Sequence, residues 1–336
     1  MQETGGYKMQ RTNEIIARAK ELLASGEVNR VLGWRKGEYS YDQSPAVFTE
    51  SNIDELVYDD FSTPNLSKYL VKETLKEGKI AVLMKPSDSY SLNQLLTEHR
   101  VKRENIYVIG IPAESEIDLR KIEALGVKGI TDIEADETSV TIKSIYGDKT
   151  VAKSDVLLDR SMNGKGTKHV IYDELLCCTE DEEAVNEDTT SRFDELKKIE
   201  AMSSDERYEF WRSELSKCIR CNACRNVCPA CTCRTCVFDN PDSQVDAKAN
   251  TTSFEENMFH IIRAFHVAGR CTDCGECSRV CPQSIPLHLL NRKFIKDMNE
   301  NYGEYQAGAV EGSRAPLVSF TTEDIEPNAI SDGGKA

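Results

Sequence analysis

The sequence predicts an α/β N-terminal domain joined to a mainly helical, cysteine-rich C-terminal domain. Three observations predict it: strand and helix patterns alternate through the first half, eleven of the 13 cysteines fall between Cys218 and Cys281, and the apolar period turns helical after Ser203. The expected spans are 1–176 for an α/β docking domain, 177–203 for an acidic linker, 204–302 for the helical domain and 303–336 for an extended tail.

In chain order, the first half opens with a polar amphipathic helix over about Lys8 to Leu23 and a short strand around Val28 to Trp34. Pro64 to Lys76 reads as a helix ending at Gly78, and the apolar run Ile80 to Met84 as a buried strand. A helix from Ser89 to Glu98 and a strand from Ile106 to Ile111 complete a βαβ pattern, which implies a parallel sheet. Asp118 to Leu125 is a helix closed by Gly126, and the alternation from Ser139 to Tyr146 pairs as a hairpin with Thr150 to Ala152. The acidic stretch beginning at Glu180 is poor in large apolar residues and reads as a solvated linker. Ser203 with Glu206, and Ser253 with Glu256, are capping-box signatures that open two helices; a third runs from about Leu287 to Asn299.

Composition excludes several classes. With 57 acidic against 42 basic residues, a net charge of -15 argues against nucleic acid or an anionic lipid surface as the main partner. The longest strongly apolar run, Ile80 to Met84, is far short of a membrane span, and the first residues lack the pattern of a signal peptide. A reducing, cytoplasmic compartment is therefore expected, where clustered thiols serve as metal ligands more often than as disulfides.

The chemistry is concentrated in Cys218-x-x-Cys221-x-x-Cys224-x-x-x-Cys228-Pro229 and its repeat, Cys271-x-x-Cys274-x-x-Cys277-x-x-x-Cys281-Pro282. Three thiolates in one tight loop can cap three irons of a 4Fe-4S cubane, and in two-cluster ferredoxins the fourth cysteine ligates the other cluster. The expected assignment is crossed: Cys218, Cys221, Cys224 and Cys281 for cluster 1, and Cys271, Cys274, Cys277 and Cys228 for cluster 2. Zinc takes two separated pairs and has no use for the third cysteine of such a loop. The fold class is thus an α/β domain plus a mainly helical two-cluster ferredoxin-like domain. Cys231, Cys233 and Cys236 offer a further metal site, with Cys177, Cys178 or a non-thiol group as fourth ligand; the alternative preferred here is that they line the cluster pocket, with Cys177 and Cys178 as adjacent buried thiols. Between Cys218 and Lys293 basic residues outnumber acidic ones, and these arginines can offset cluster charge.

The insert between Cys228 and Cys271 carries its own helix, which resembles the helical ferredoxin modules of heterodisulfide reductase and of the succinate dehydrogenase iron-sulfur subunit. In the first half, Asn52-x-Asp-Glu-Leu-Val-Tyr-Asp-Asp-Phe-Ser-Thr-Pro-Asn-Leu, Lys85-Pro-Ser-Asp-Ser, Ile109-Gly-Ile-Pro-Ala and Leu157-Leu-Asp-Arg-Ser resemble the beta subunits of coenzyme-F420-reducing hydrogenases and formate dehydrogenases. The resemblance implies an electron-transfer subunit working with protein partners in an anaerobic hydrogenase, formate dehydrogenase or heterodisulfide-reductase-type complex. Two alternatives remain: a flavin-dependent oxidoreductase acting on a deazaflavin or nicotinamide, and a partner-anchoring subunit. Ser62, Ser87, Ala113, Ser161 and Gly164 stand where such relatives often carry cysteine, so no cluster is expected in the first domain and flavin is the less favoured cofactor. Lys85, Ser87, Asp88 and Ser89 sit where open α/β sheets bind phosphate, with a simple helix cap and turn as the preferred reading. His260 and His266 read as surface or half-buried helix residues rather than ligands.

Overall fold

A computed structural model describes residues 3–113, 115–163, 168–179, 191–239 and 253–316. The first helix, α1 (Glu3–Ala24), buries Ile15, Ala19, Leu22 and Leu23, one stripe at helical spacing, against a six-stranded sheet. The strands are β1 (Arg30–Lys36), β2 (Gln43–Phe48), β3 (Leu56–Val57), β4 (Ile80–Met84), β5 (Ile106–Gly110) and β9 (Glu174–Leu175), in the order β2-β1-β4-β5-β9, with β3 also paired to β1. Strand β4 is buried along its whole length and lies parallel to β1 and β5, as its unbroken apolar run requires.

The expectation of a parallel sheet is corrected to a mixed one, because β2 and β3 run antiparallel to β1. The segment forming β2 carries Pro45 and only partial burial, which an edge strand tolerates and which hides it from pattern reading. Helix α2 (Ser67–Glu73) is shorter than its pattern, while α3 (Pro86–Thr97) follows β4 directly. A second apolar cluster forms under α4 (Leu119–Ala124), capped by Asp118, and the antiparallel strands β6 (Ile130–Ala135), β7 (Ser139–Ser144) and β8 (Lys149–Ala152). Helix α5 (Asp159–Asn163) then leads toward β9.

The C-terminal region is helical: α6 (Asp194–Glu200), α7 (Ser204–Ser216), α8 (Ala223–Val227), α9 (Ser253–Val267), α10 (Glu276–Arg279) and α11 (Leu287–Tyr302). Both arms of the capping box between Ser203 and Glu206 are present at the start of α7. Helix α6 corrects the solvated linker over part of its span: Leu196 and Ile199 are buried, and so is Arg192. Its charged residues face water, so composition conceals an apolar stripe only two residues long. The acidic run 180–190, residues 164–167 and the tail from 317 lie outside the described residues.

Helix α3 explains how the two regions join. Leu92, Leu95 and Leu96 face the sheet core, yet Ser89, Ser91, Asn93 and Gln94 are buried too. The Ser91 and Thr272 hydroxyls lie 2.9 Å apart, and Asn93 donates to the Gly308 carbonyl at 2.7 Å. The cysteine-rich region and the start of the tail therefore cover the polar side of α3. At Gly308 (φ +78°) a Cβ would meet the Tyr90 carbonyl oxygen at 2.0 Å, so only glycine permits this approach. Among the described residues no helix is long and apolar enough to cross a membrane.

Candidate metal centre

The two cysteine runs fold alike. In the first, Arg220 and Asn222 have positive φ (55° and 61°); in the second, Asp273 and Gly275 do (61° and 70°). These are the second and fourth residues after the leading cysteine in both runs, and a short helix, α8 or α10, begins at the fifth. Left-handed backbone is uncommon for residues other than glycine. Its recurrence in register shows that the two loops share one backbone shape.

The pairing of the runs is interleaved. Cys218, Cys221 and Cys224 line one small cavity together with Cys281 of the other run, and Phe259 and His260 of α9 close it. Cys224, Cys277 and Cys281 share the apolar cluster of Leu215, Ile285 and Leu287. Cys271, Cys274 and Cys277 belong to the second loop, and the Cys228 thiol lies within electrostatic reach of Cys274. Burial pushes the Cys271, Cys274 and Cys277 thiols up to about 12, and it also raises Cys224. A bound cation in place of the proton would hold such thiols as thiolates. Among the described residues no three cysteine sulfurs lie within 4.8 Å of one another.

Nitrogen donors surround the sulfurs. Arg263 of α9 donates from Nη1 to the Cys224 Sγ at 3.0 Å and from Nη2 to the Cys224 carbonyl at 3.2 Å. The Arg220 backbone N–H reaches the Cys218 Sγ at 3.4 Å. Of the local arginines Arg263 lies against a cysteine sulfur, whereas Arg270, Arg279 and Arg292 are paired to carboxylates. Asp273, inside the second loop, accepts from both Arg192 (2.7 Å) and Arg292 (3.0 Å), which ties that loop to the approach to α6 and to α11.

The three extra cysteines do not converge. Cys231 is hydrogen-bonded to Cys228, which holds the Cys231 thiol low and the Cys228 thiol high. Cys236 bonds to Arg225, and Cys233 is exposed. Cys177 donates to Glu14 of α1 at 3.1 Å and is half-buried, with Cys178 half-buried beside it, so the expectation of buried thiols is corrected: the chain leaves β9 at the surface. His260 corrects another expectation, being 3% exposed, because it lies on the inward face of α9. Burial and the nearby Arg263 and Arg220 cations hold its pKa down at about 3. Apolar spacing does not reveal this, since Met258, Ile261 and Phe265 of α9 are exposed while Phe259, His260 and Arg263 are turned inward.

Where β4 and β5 end, the α/β region holds a buried ion network. Lys85 contacts Glu116 and donates to the Ser62 carbonyl at 2.9 Å; Arg160 donates from Nε to Glu116 at 2.7 Å and from Nη1 to the Cys274 carbonyl at 2.9 Å. Arg160 also lies 3.2 Å from Glu276 of α10. Lys85 is thus spent internally, which leaves the phosphate reading without its cation. Ser62 and Ser161 border the network. Burial would raise the Glu116 carboxyl, but Arg160 and Lys85 outweigh it and hold it at about 2. Asp88 is the opposite case, pushed by burial up to about 6 despite Lys85 and Arg160. Its folded form binds a proton more tightly than the unfolded chain, so its contribution to stability is full at low pH and is lost as pH rises through about 6. Asp88→Asn is expected to flatten the stability profile between pH 4 and 7, as read by urea unfolding across that range; an unchanged profile would refute the assignment.

Comparison with known proteins singles out the same cysteine-rich region. Residues 214–285 match the family 4Fe-4S dicluster domain. The chain is 25% identical to the F420-dependent formate dehydrogenase subunit beta of Methanocaldococcus jannaschii, covering 91% of this chain and 94% of that protein. It is 26% identical to the F420-dependent formate dehydrogenase 1 subunit beta of Methanococcus maripaludis, over 88% of this chain and 90% of that one. A stretch covering 33% of the chain is 30% identical to the Bacillus subtilis succinate dehydrogenase iron-sulfur subunit, spanning 51% of it. The resemblance to formate dehydrogenase beta subunits therefore runs through nearly the whole chain.

Proposed function

We propose that this chain is an iron-sulfur electron-transfer subunit of a multi-subunit oxidoreductase of the formate dehydrogenase, hydrogenase or heterodisulfide reductase type, relaying single electrons through two 4Fe-4S clusters. The observation that carries the reading is the interleaving of two like-shaped loops, which brings Cys281 into the cavity of Cys218, Cys221 and Cys224. Cys218, Cys221, Cys224 and Cys281 would hold one cluster, and Cys271, Cys274, Cys277 and Cys228 the other. Bound there, the clusters supply one-electron redox chemistry.

The protein's own residues do the rest. Arg263 places positive charge and an N–H beside Cys224, which favours the reduced, more negative state. The first loop is open to the outside, with Cys221 exposed and Ile219 58% exposed, and this face suits contact with another protein of the complex. The second loop lies against α3 and the ion network of the α/β region, so the two loops address different neighbours. The α/β region acts as the anchoring body.

The test is iron, acid-labile sulfide and flavin per chain after anaerobic purification. About eight irons and eight sulfides without flavin are expected. About four irons would overturn the two-cluster reading, and stoichiometric flavin released on denaturation would move the function to a flavin-dependent oxidoreductase. The triple variant Cys231→Ser, Cys233→Ser, Cys236→Ser is expected to keep the full iron content, since these thiols face Cys228, solvent and Arg225. Loss of iron in it would make them ligands of a further centre.

A further inference from the structure

His260 is 3% exposed, and neither Nδ1 nor Nε2 has a hydrogen-bond partner among the described residues. The ring lines the same cavity as Cys218, Cys221, Cys224 and Cys281, with the Phe259 ring edge-on at 5.0 Å. A buried polar group left without a partner costs about 1–3 kcal/mol, and cores rarely retain one without cause. A histidine N–H on the wall of a cavity lined by four cysteines has an evident acceptor in sulfur. One turn further along α9, Arg263 already donates to the Cys224 Sγ.

The second loop offers a contrast. His288 of α11 shares a small cavity with Cys274, but its Nδ1 is engaged with the Ser278 hydroxyl at 2.8 Å and its Nε2 faces Asp159 at 3.6 Å. The protein engages one nitrogen of the His288 ring by a hydrogen bond, whereas it engages neither nitrogen of His260.

We propose that His260 donates an N–H hydrogen bond to sulfur of the centre held by Cys218, Cys221, Cys224 and Cys281, and thereby raises the reduction potential of that centre relative to the other. The inference rests on the two-cluster reading. A donor at sulfur stabilises the extra negative charge of the reduced state, so the potential rises with the bond and falls without it. The bond thereby favours the electron on the loop that is open to the outside.

The experiment uses the full chain, purified anaerobically with its iron measured. In a redox titration followed by electron paramagnetic resonance, His260→Leu is expected to lower one midpoint by at least a tenfold change in the reduction equilibrium, about 59 mV for one electron, and to leave the other in place. The affected signal is the one that Cys281→Ser abolishes. His260→Asn, which keeps an N–H donor, is expected to recover part of the shift. Unchanged midpoints at full iron content overturn the proposal. Because His260→Leu can cost the centre itself, pulsed resonance on the unmutated chain with isotope-labelled histidine provides a second readout. Hyperfine coupling of a histidine nitrogen to that signal is expected, and its absence overturns the role of His260 while leaving the two clusters standing. An iron content near four instead overturns the two-cluster reading and this inference with it.

Discussion

Cys281→Ser is expected to abolish the centre whose other three ligands lie some sixty residues earlier, and to leave the centre beside its own loop intact. The reciprocal variant, Cys228→Ser, is expected to remove the centre of Cys271, Cys274 and Cys277. In each case iron falls by about half, and one of two resonance signals disappears. The prediction of a crossed outcome rests on the cavity that Cys281 shares with Cys218, Cys221 and Cys224. If Cys281→Ser instead removed the signal that Cys271→Ser removes, each loop would hold its own cluster and the interleaved assignment would fall. Both variants should be compared with Cys233→Ser, whose exposed thiol makes it a control of equal chemistry and no expected loss.

The second large effect is expected at Arg160. Its side chain is 4% exposed and bonds to Glu116 while lying 3.2 Å from Glu276 and donating to the Cys274 carbonyl. Burial alone would lower its pKa, but the surrounding carboxylates hold the guanidinium firmly charged. Arg160→Met leaves Glu116 and Glu276 buried with fewer cations to face them, and removing one partner of a buried ion pair costs about 3–5 kcal/mol. A corresponding fall in stability to urea is expected, together with faster loss of iron from the adjoining loop. Adding Glu116→Gln to Arg160→Met is expected to restore part of the loss, since it removes the stranded charge. By contrast Lys197→Ala, which breaks the exposed pair with Asp194, should change stability by less than about 1 kcal/mol. Equal losses in both variants would show that the Arg160 network is not what joins the two regions.

What could be read along the chain was whatever depends on neighbours within a few residues. The unbroken run Ile80 to Met84 became β4 with the same limits, and Ser203 with Glu206 formed the capping box of α7. The cysteine runs disclosed their chemistry for the same reason: three ligands at gaps of two residues are a local requirement of the loop. Weakly patterned edges were not legible. Strand β2 with its proline, β6 with its half-exposed alternation and α6 with two buried residues carry too little apolar signal for a period to emerge.

The remaining features depend on residues far apart in sequence, which no local pattern encodes. Nothing near Lys85 announces that Glu116 and Arg160 will meet it, or that this network will close the end of the sheet against α10. The buried polar side of α3 has no meaning until Thr272 and Gly308 cover it. His260 belongs to the same class: it is one polar residue on an amphipathic helix until packing turns it toward the cysteines and deprives it of water. Ligand spacing is a property of the loop and is written in the chain. The surroundings that set potential and direction come from packing distant segments together, because burial is what turns an ordinary charge or N–H into a strong one.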